Sequence, residues 1–155
     1  MKSSAEIIDA LNDILTSELT GINQYFVHAR MCENWGYTRL WERLRAESID
    51  EMKHADDIIE RLLYLEGVPN VQRLGKINIG ETVPEQLKSD LALERDAVVR
   101  FNRAIELCRS RDDNGSRHLL ENMLVSEESH VNWLEAQLDQ IAQVGEANYL
   151  AQQIR

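Results

Sequence analysis

The sequence predicts an all-α protein, a four-helix bundle with one long crossover and a short C-terminal fifth helix. Apolar residues recur at helical spacing along nearly the whole chain, and the alternating pattern of β-branched residues that is typical of strands is missing. Turn and cap residues divide this pattern into four long segments and one short one. Only the connection between the second and third segments is long, which is typical of a bundle with a single crossover.

The first two helices are expected to form an antiparallel hairpin. Ser3 and Glu6 have the spacing of a capping box, and Gly36 is a natural residue for the end of the first helix. The second helix should begin near Thr38 and stop at Gly67, because Pro69 lies just beyond it.

The segment "VPNVQRLGKINIGE" has neither helical nor alternating periodicity and is predicted to be the crossover. A connection of about 16 residues can reach roughly 50 Å when extended, whereas a helix of about 28 residues is roughly 42 Å long. The crossover can therefore span the bundle, so that the second and third helices run parallel while each hairpin is antiparallel.

The second hairpin follows from similar signals. The stretch "TVPE" at 82–85 has capping-box spacing with Pro84 in the first turn, and this third helix should run to about Arg111. The turn signal "DDNG" at 112–115 separates it from a fourth helix that should extend to about Val144. Gly145 then precedes the short terminal helix "EANYLAQQI".

Length and composition predict one globular domain over residues 1–155. Hydrophobic residues make up 43% of the chain and charged residues 28%, which is ordinary for a globular protein. The N-terminal residues lack the continuous apolar run of a signal peptide, so we expect a cytoplasmic location. The net charge of −10 disfavours nucleic acid and anionic membranes as partners. The acidity either attracts cations or simply keeps the surface soluble.

Six polar residues stand out because they form two sets with identical spacing. Each residue of the second set lies 76 positions after its counterpart in the first. The first set is Glu18, Glu51 and His54, and the second is Glu94, Glu127 and His130. The same offset maps Tyr25 onto Phe101 and Cys32 onto Cys108. The two hairpins therefore look like a diverged repeat arranged around a pseudo-twofold axis.

All six residues fall near the middle of their predicted helices, where antiparallel helices meet at one level. Residues three apart share a helix face, so each Glu-x-x-His presents a carboxylate beside an imidazole. Four buried carboxylates are costly unless cations compensate them, and two divalent ions would do so. Oxygen and imidazole ligands suit iron, manganese or zinc, and this is the ligand pattern of di-iron carboxylate bundles.

The alternative is that these glutamates form a solvated face and that the histidines are incidental. One Glu-x-x-His on a helix is a weak signal, whereas two copies with two further glutamates at the same offset indicate a metal site. Apolar residues at helical spacing around the six support their burial; they are Leu15, Ile22, Ile58, Leu62, Leu91, Val98, Leu124, Leu134 and Leu138.

The sequence closely resembles the bacterioferritins, the haem-containing branch of the ferritin family. The likeness covers essentially the whole chain and includes "ELTGINQYFVHARM", "ESIDEMKHADDIIERLLYLEG", "LGKINIGE", "SDLALE" and "NYLAQQI". The six ligands are shared with other ferritins, and Met52 in "DEMKHA" is the more specific mark. In bacterioferritins the equivalent methionines of two subunits ligate one haem across a twofold interface.

The resemblance implies an iron storage protein with ferroxidase activity. Such a protein oxidises two Fe(II) per subunit with O2 or H2O2 and stores the ferric mineral in a hollow octahedral shell, built from dimers, of 24 subunits. Glu51 and Glu127 would bridge the irons. Glu18 with His54, and Glu94 with His130, would be terminal ligands. Haem b shared through Met52 and a ferredoxin-type reductant for iron release are also implied.

Two of these residues keep a second interpretation. Tyr25 resembles the family's tyrosine that donates a hydrogen bond or an electron to the centre, but it also fits a core tyrosine with a satisfied hydroxyl. Met52 points roughly 100° away from Glu51. It belongs to a second stripe that needs a partner, formed by Leu19, Asn23, Phe26, Ile49, Met52, Ala55 and Ile59. Spacing alone favours Met52 as a residue that fills a gap in a dry dimer interface, and the resemblance reverses that preference.

The chain departs from the family pattern at two places. Ala46 stands where some bacterioferritins have a histidine of an inner-surface iron site, which puts an electron relay there in doubt, although Glu47 and Asp50 remain. Asn148 matches a polar residue of the family's fourfold pores, but Ala151 replaces a glutamine of some relatives. Gln152 points roughly 100° away from position 151, so a polar pore lining is less certain.

The remaining cysteines and histidines carry no predicted chemistry. Cys32 and Cys108 lie beyond their glutamates on antiparallel helices, on the order of 40 Å apart, so both should be reduced thiols. His28 and His118 are interpreted as structural or surface residues. Three functions remain open: iron oxidation with storage, a di-iron oxidase or peroxidase without storage, and a haem electron carrier.

Overall fold

Helices account for most of the chain in the computed structural model, which describes residues 1–155. The predicted four-helix bundle with a short fifth helix is confirmed. The helices are α1 (Ala5–Asn34), α2 (Thr38–Tyr64), α3 (Val83–Ser110), α4 (Asn114–Val144) and α5 (Glu146–Ala151). None of them has a stretch that is apolar and long enough to cross a membrane.

The side-chain contacts establish the direction of each helix. Gln24 near the middle of α1 donates to Asp90, whereas Cys32 near its end donates to the earlier residue Gln86 in α3. α1 and α3 are therefore antiparallel. The hydroxyl of Ser48 in α2 reaches back to the carbonyl of Ile22, within the α1–α2 hairpin. Since α1 is antiparallel to both α2 and α3, the crossover returns along the bundle and these two helices run parallel.

The first helix begins one residue later than the sequence predicted. Ser4, not Ser3, is the N-cap, and its hydroxyl accepts from the Ile7 amide. The predicted capping box of Ser3 and Glu6 is therefore wrong. With Ser4 as the N-cap, the residue three positions later is Ile7, whose apolar side chain cannot accept a hydrogen bond from the N-cap amide. Glu6 still lies in the first turn, where its charge favours the positive helix end. Gly36, with φ of 85°, ends the helix as predicted.

The end of α2 also differs from the prediction. Glu66, not Gly67, has the left-handed backbone, with φ of 62°. The amide of Gly67 donates to the Leu62 carbonyl and that of Glu66 to the Leu63 carbonyl, which is the Schellman arrangement. A Cβ atom at Gly67 would lie 2.6 Å from the terminal methyl group of Ile8, so that side chain would have to shift.

A buried polar network fixes the end of the crossover. The Gly80 amide donates to His28 Nε2 at 3.0 Å, and His28 Nδ1 lies 2.9 Å from Asp90 Oδ1. Because Nε2 accepts a hydrogen bond, the proton of the neutral ring must be on Nδ1, where it is donated to Asp90. Gln24 also donates to Asp90 and accepts from the Asn78 amide. His28 is therefore a structural residue that joins α1, α3 and the crossover.

The second hairpin is capped largely as predicted. The Thr82 hydroxyl accepts from the Glu85 amide at the start of α3. The Glu85 carboxylate returns to the amide of Glu81 instead of Thr82, so the capping box is displaced by one residue. The predicted turn ends at Asp113, which caps α4 by accepting from Ser116. The bounds predicted for α3 and α4 are confirmed within one or two residues.

Two apolar clusters fill the bundle on either side of its middle. One contains Leu11, Leu62 and Phe101, and the other contains Leu44 and Tyr149, which packs α5 against the bundle. Of the apolar residues predicted to surround the polar set, five are buried and four are half-buried. The buried ones are Leu15, Ile58, Leu62, Leu91 and Leu134, and the half-buried ones are Ile22, Val98, Leu124 and Leu138. The polar middle is thus enclosed at both ends.

Candidate metal centre

The six predicted ligands converge in the middle of the bundle. Each of the four long helices contributes at least one of them, and α2 and α4 each contribute the Glu and His of a Glu-x-x-His. The four carboxylates are almost fully buried, with exposures from 0% to 3%. This convergence follows from the helical register, because Glu51 and His54, like Glu127 and His130, lie one above the other on a single face.

The ligand atoms form two groups that share two carboxylates. In each group, one oxygen or nitrogen atom from every member lies within 4.8 Å of the others. The first group is Glu18, Glu51, His54 and Glu127, and the second is Glu51, Glu94, Glu127 and His130. Glu51 and Glu127 belong to both groups, so the geometry suits two cations side by side with these two carboxylates between them.

Both imidazoles face the carboxylates through Nδ1. His54 Nδ1 lies 3.2 Å from Glu127 Oε1 and 3.4 Å from Glu18 Oε2. His130 Nδ1 lies between 3.5 and 3.8 Å from oxygens of Glu51, Glu94 and Glu127. These separations leave room for an ion whose bonds to nitrogen and oxygen are each about 2.0–2.2 Å long.

Several buried polar atoms of this cluster have no hydrogen-bond partner within the protein. They include both carboxylate oxygens of Glu18, Glu51 Oε1, Glu94 Oε2, Glu127 Oε2 and His130 Nδ1. Buried polar atoms are normally paired, because leaving one unpaired costs about 1–3 kcal/mol. The concentration of unpaired acceptors in one place indicates that cations complete the site.

The electrostatics of the cluster point the same way. Burial, together with the charges of neighbouring carboxylates, raises the pKa values of Glu18 and Glu51 well above the ordinary value. The same causes raise the pKa of Glu94 to about 8. Burial alone would lower the pKa values of His54 and His130, but their hydrogen bonds to carboxylates raise both. Without cations, the cluster therefore binds protons to limit its negative charge.

Tyr25 lies directly against this centre. Its side chain is fully buried, and its hydroxyl donates to Glu94 Oε1 at 2.8 Å. Burial and the charge of Glu94 raise the pKa of Tyr25, so the hydroxyl keeps its proton as a hydrogen-bond donor. A tyrosine that donates to the centre and a core tyrosine both need a hydrogen-bond acceptor for the hydroxyl. Glu94 is that acceptor.

Glu47 contacts the centre in a way that was not predicted from the sequence. This residue was expected on an inner surface with Asp50, but its side chain is only 3% exposed, and its Oε2 lies 2.5 Å from His130 Nε2. Arg43 Nε donates to the other carboxylate oxygen at 2.7 Å. Burial alone raises the pKa of Glu47, yet His130 and Arg43 lower it overall. Its position one turn before Glu51, on the same helix face, was the available signal.

The surroundings of position 46 are otherwise as the sequence indicated. Ala46 is exposed, and the carboxylate of Asp50 is half-exposed with Oδ2 at 3.7 Å from His130 Nε2. Glu47, Asp50 and His130 thus form a third, smaller group of possible ligands next to the main centre.

The second stripe on α1 and α2 is narrower than predicted. Phe26 on α1 and Met52 on α2 are 59% and 56% exposed. Ala55, however, is 4% exposed and belongs to the apolar core, so its assignment to the outer stripe is wrong. The reason is that Ala55 lies four residues after Glu51 and therefore shares the inward-facing side of α2. Leu19, Ile49 and Ile59 are half-buried, and Asn23 is exposed.

The other predicted residues lie away from the centre. Cys32 and Cys108 are buried free thiols, as expected, and burial raises their pKa values to about 12 and about 11. His118 is exposed on α4. On the last turns of the chain, Asn148, Ala151 and Gln152 are all exposed, and the Asn148 side chain donates to the Val144 carbonyl. The pore role of Asn148 stays a prediction.

A four-helix bundle with two adjoining carboxylate–imidazole groups in its core defines a ferritin-like carboxylate protein. The family model described as "Ferritin-like domain" matches residues 8–144. The chain is 47% identical over 152 residues to the bacterioferritin of Mycobacterium leprae, covering 98% of this chain and 96% of that protein. The bacterioferritin of Streptomyces coelicolor is 44% identical over 151 residues, covering 97% and 90%, respectively. That of Brucella melitensis is 43% identical over 149 residues, covering 96% and 92%. The chain belongs to the bacterioferritins.

Proposed function

We propose that this protein oxidises Fe(II) to Fe(III) at the candidate metal centre and stores the ferric product. The observation that carries the proposal is the pair of ligand groups that share Glu51 and Glu127 in the middle of the bundle. Two ions bound side by side can each lose one electron, which together reduce O2 to H2O2 or H2O2 to water. Iron is the substrate of this reaction and, as the ferric mineral, the stored product.

The ligand roles follow from membership of the two groups. Glu51 and Glu127 belong to both and bridge the ions. Glu18 and His54 are terminal ligands of one ion. Glu94 and His130 are terminal ligands of the other, and Tyr25 orients Glu94 through its hydroxyl. The donor set of carboxylate oxygens and imidazole nitrogens, with no thiolate, suits iron in both oxidation states. The four carboxylates balance the charge of two divalent ions.

The proposed site of haem b is the outer face of α1 and α2. Met52 is 56% exposed on α2, and Phe26 on the neighbouring helix α1 is 59% exposed. A thioether is an established axial ligand of haem iron, and exposed apolar side chains suit the porphyrin. One Met52 from each of two subunits would hold the haem in a symmetric dimer, and the haem would supply electron transfer to or from the stored iron.

The subunits are proposed to assemble as dimers into a closed shell of 24, in which the mineral forms. A shell of this kind makes storage possible because the ferric product is retained inside. Release then requires reduction, for which a ferredoxin-type protein is the proposed electron donor. The cytoplasm, where such reductants occur, is the proposed location.

The test is an anaerobic addition of Fe(II) to the purified protein, followed by admission of O2. Ferric absorbance, particle size and the Soret band of haem are recorded on the same sample. We expect rapid oxidation of two irons per chain in a large shell. Oxidation in a particle no larger than a dimer would favour a non-storage di-iron enzyme, and a haem protein that does not oxidise iron faster than buffer would favour an electron carrier.

Two neighbouring glutamates provide a matched pair of variants. Glu127 is fully buried in the centre, whereas Glu128, the next residue of α4, points roughly 100° away and is exposed. Glu127→Gln should abolish rapid oxidation because it removes a proposed bridging carboxylate from both ions. Glu128→Gln makes the same chemical change on the same helix and should oxidise iron at the original rate. Equal rates in the two variants would rule out the proposed centre.

A further inference from the structure

The half of the centre formed by Glu94 and His130 and the half formed by Glu18 and His54 differ in the residues that surround their histidines. The 76-residue offset that relates the ligands also relates Glu47, behind His130, to Met123, the corresponding position for His54. Asp50 corresponds to Ser126 in the same way, and Arg43 corresponds to Leu119. Arg43, Glu47 and Asp50 thus form a charged strip beside His130. The equivalent positions in the other half, which belong to His54, carry no charge.

The charged strip is a continuous set of contacts. The guanidinium of Arg43 lies over the ring of Trp133, 4.5 Å from its centroid. Arg43 Nε donates to Glu47 Oε1 at 2.7 Å, and Glu47 Oε2 lies 2.5 Å from His130 Nε2. Glu47 is therefore held from one side while it contacts the histidine from the other.

This contact determines which nitrogen of His130 faces the centre. His130 Nε2 lies 2.5 Å from Glu47 Oε2, so this ring nitrogen faces Glu47 and not the centre. Nδ1 is then the nitrogen available to an ion, and it is the one directed at Glu51, Glu94 and Glu127. A carboxylate that accepts the outer N–H of a ligating histidine orients the ring and raises its basicity, and its loss typically costs about 10–100-fold in metal affinity or activity.

His54 has no such support. Its contacts with carboxylates are made by Nδ1, with Glu18 and Glu127 on the side of the centre. The position corresponding to Glu47 is Met123, a 3% exposed residue of the apolar core. Glu18, the other terminal ligand of this half, has two unpartnered oxygens, whereas its counterpart Glu94 accepts from Tyr25.

We propose that Glu47 is a positioning residue that makes the half-site of Glu94 and His130 the tighter of the two, so that this half-site is filled first. The inference rests on the proposed function, because it assumes that the centre binds two ions. Arg43 and Trp133 contribute by holding Glu47 in place. The half-site of Glu18 and His54, which lacks this support, binds the second ion more weakly.

The inference is tested with Co(II), which is stable in air and reports its coordination through visible absorption bands. Anaerobic titration of the haem-free shell should show two ions per chain that bind in distinguishable steps. Glu47→Ala should weaken the tighter step by about 10–100-fold and leave the weaker step unchanged. Glu47→Gln keeps an oxygen that can accept the N–H of His130 and should restore part of the affinity.

The step is assigned to a half-site by combining variants. In the His130→Ala background, Glu47→Ala should have no further effect on Co(II) affinity, because the side chain that it positions is gone. In the His54→Ala background it should retain its full effect. Met123→Leu is the matched control, since it changes the corresponding buried position in the other half without removing a charge, and both affinities should stay within about twofold of the original.

The outcomes separate this inference from the proposed function. A folded shell that binds fewer than two Co(II) per chain contradicts the proposed function itself. The inference would be overturned if two ions still bind per chain and Glu47→Ala either leaves both affinities unchanged or weakens both binding steps by the same factor. The proposed function would then remain intact. Loss of a third ion, with the first two unaffected, would also overturn it, because Glu47, Asp50 and His130 would then form a binding site of their own.

Discussion

The Tyr25 hydroxyl donates a 2.8 Å hydrogen bond to Glu94, whereas the residue at the corresponding place in the second half, Phe101, can make no such bond to Glu18. Both aromatic rings are fully buried, so the two positions share the same packing and differ by one hydroxyl group. The six predicted ligands are therefore repeated in the two halves of the bundle, whereas the residues that contact them are not. A substitution at Tyr25 tests whether this difference between the two halves affects iron oxidation.

Tyr25→Phe should leave the fold and the binding of two ions per chain intact, because Phe101 shows that a phenylalanine fits the same environment in the other half. Without the hydroxyl, Glu94 loses its hydrogen-bond donor, and the initial rate of iron oxidation should fall by about 10-fold or more. Stopped-flow absorbance after mixing with Fe(II) and O2 measures that rate.

Tyr149→Phe is the control for this experiment. Its hydroxyl is also hydrogen-bonded, to Gln137, but it lies at the end of the bundle between α4 and α5. Tyr149→Phe should lower the free energy of unfolding and leave the initial rate of iron oxidation unchanged. If both variants slow oxidation to the same extent, the Tyr25 effect comes from general loosening of the fold.

Met52→Leu should abolish haem binding, because leucine preserves the apolar surface and removes the thioether. The Soret absorbance of the purified shell should disappear, while two irons per chain are still oxidised rapidly, since Met52 faces away from the centre. Leu63→Met, at another exposed apolar position of α2, is a control that should not alter haem content. Retention of haem at the original stoichiometry in Met52→Leu would contradict the proposed ligand.

The stability of the cation-free protein should decrease as the pH rises from about 4.5 to about 8. Burial and neighbouring carboxylates raise the pKa of Glu94 from 4.5 to about 8, so the folded chain holds a proton that the unfolded chain releases. This stabilisation is complete below the unfolded value and is lost as the pH passes through the folded one. Glu18 and Glu51, whose pKa values are also raised, act in the same direction.

Urea midpoints measured at several pH values in the presence of a chelator check this prediction. Glu94→Gln, which cannot titrate, should give a flatter dependence between about pH 5 and pH 8. Saturating Co(II) should reverse the trend in the unmodified protein, because cations replace the protons. A chelated protein whose midpoint rises with pH over this range would contradict the assignment.

Gly80→Ala should destabilise the fold strongly. A Cβ atom at this position would lie 2.4 Å from the Gln86 amide nitrogen, so backbone would have to move. The shift would also disturb the hydrogen bond from Gly80 to His28, and the combined cost should be at least about 1–3 kcal/mol in the free energy of unfolding. Denaturant unfolding followed by circular dichroism gives the value.

Gly36→Ala separates crowding from backbone strain. Gly36 has φ of 85°, but nothing lies within 4 Å of the Cβ position, so its cost should be limited to about 1–2 kcal/mol. If Gly80→Ala proved no more damaging than Gly36→Ala, the close approach of Gly80 and Gln86 would be relaxed more easily than the structure indicates.

Helical periodicity and the doubled Glu-x-x-His were enough to predict the fold and the six converging residues. The reason is that both depend on local regularities: apolar spacing defines each helix face, and a constant register places residues three or four apart on one face. The exact ends of α1 and α2 were harder to predict, as Ser4 and Glu66 show, because neighbouring residues compete for the cap position.

The sequence by itself predicted the six residues that converge in the bundle, the long crossover and the free thiols of Cys32 and Cys108. Only the tertiary structure decided that Glu47 lies buried against His130, that Ala55 belongs to the core, and that His28 and Asp90 fasten the crossover to the bundle. Each of these depends on which residues of distant segments face each other across the bundle. Helical periodicity specifies the direction of a side chain from its own helix, and the packing of the four helices specifies what it meets there.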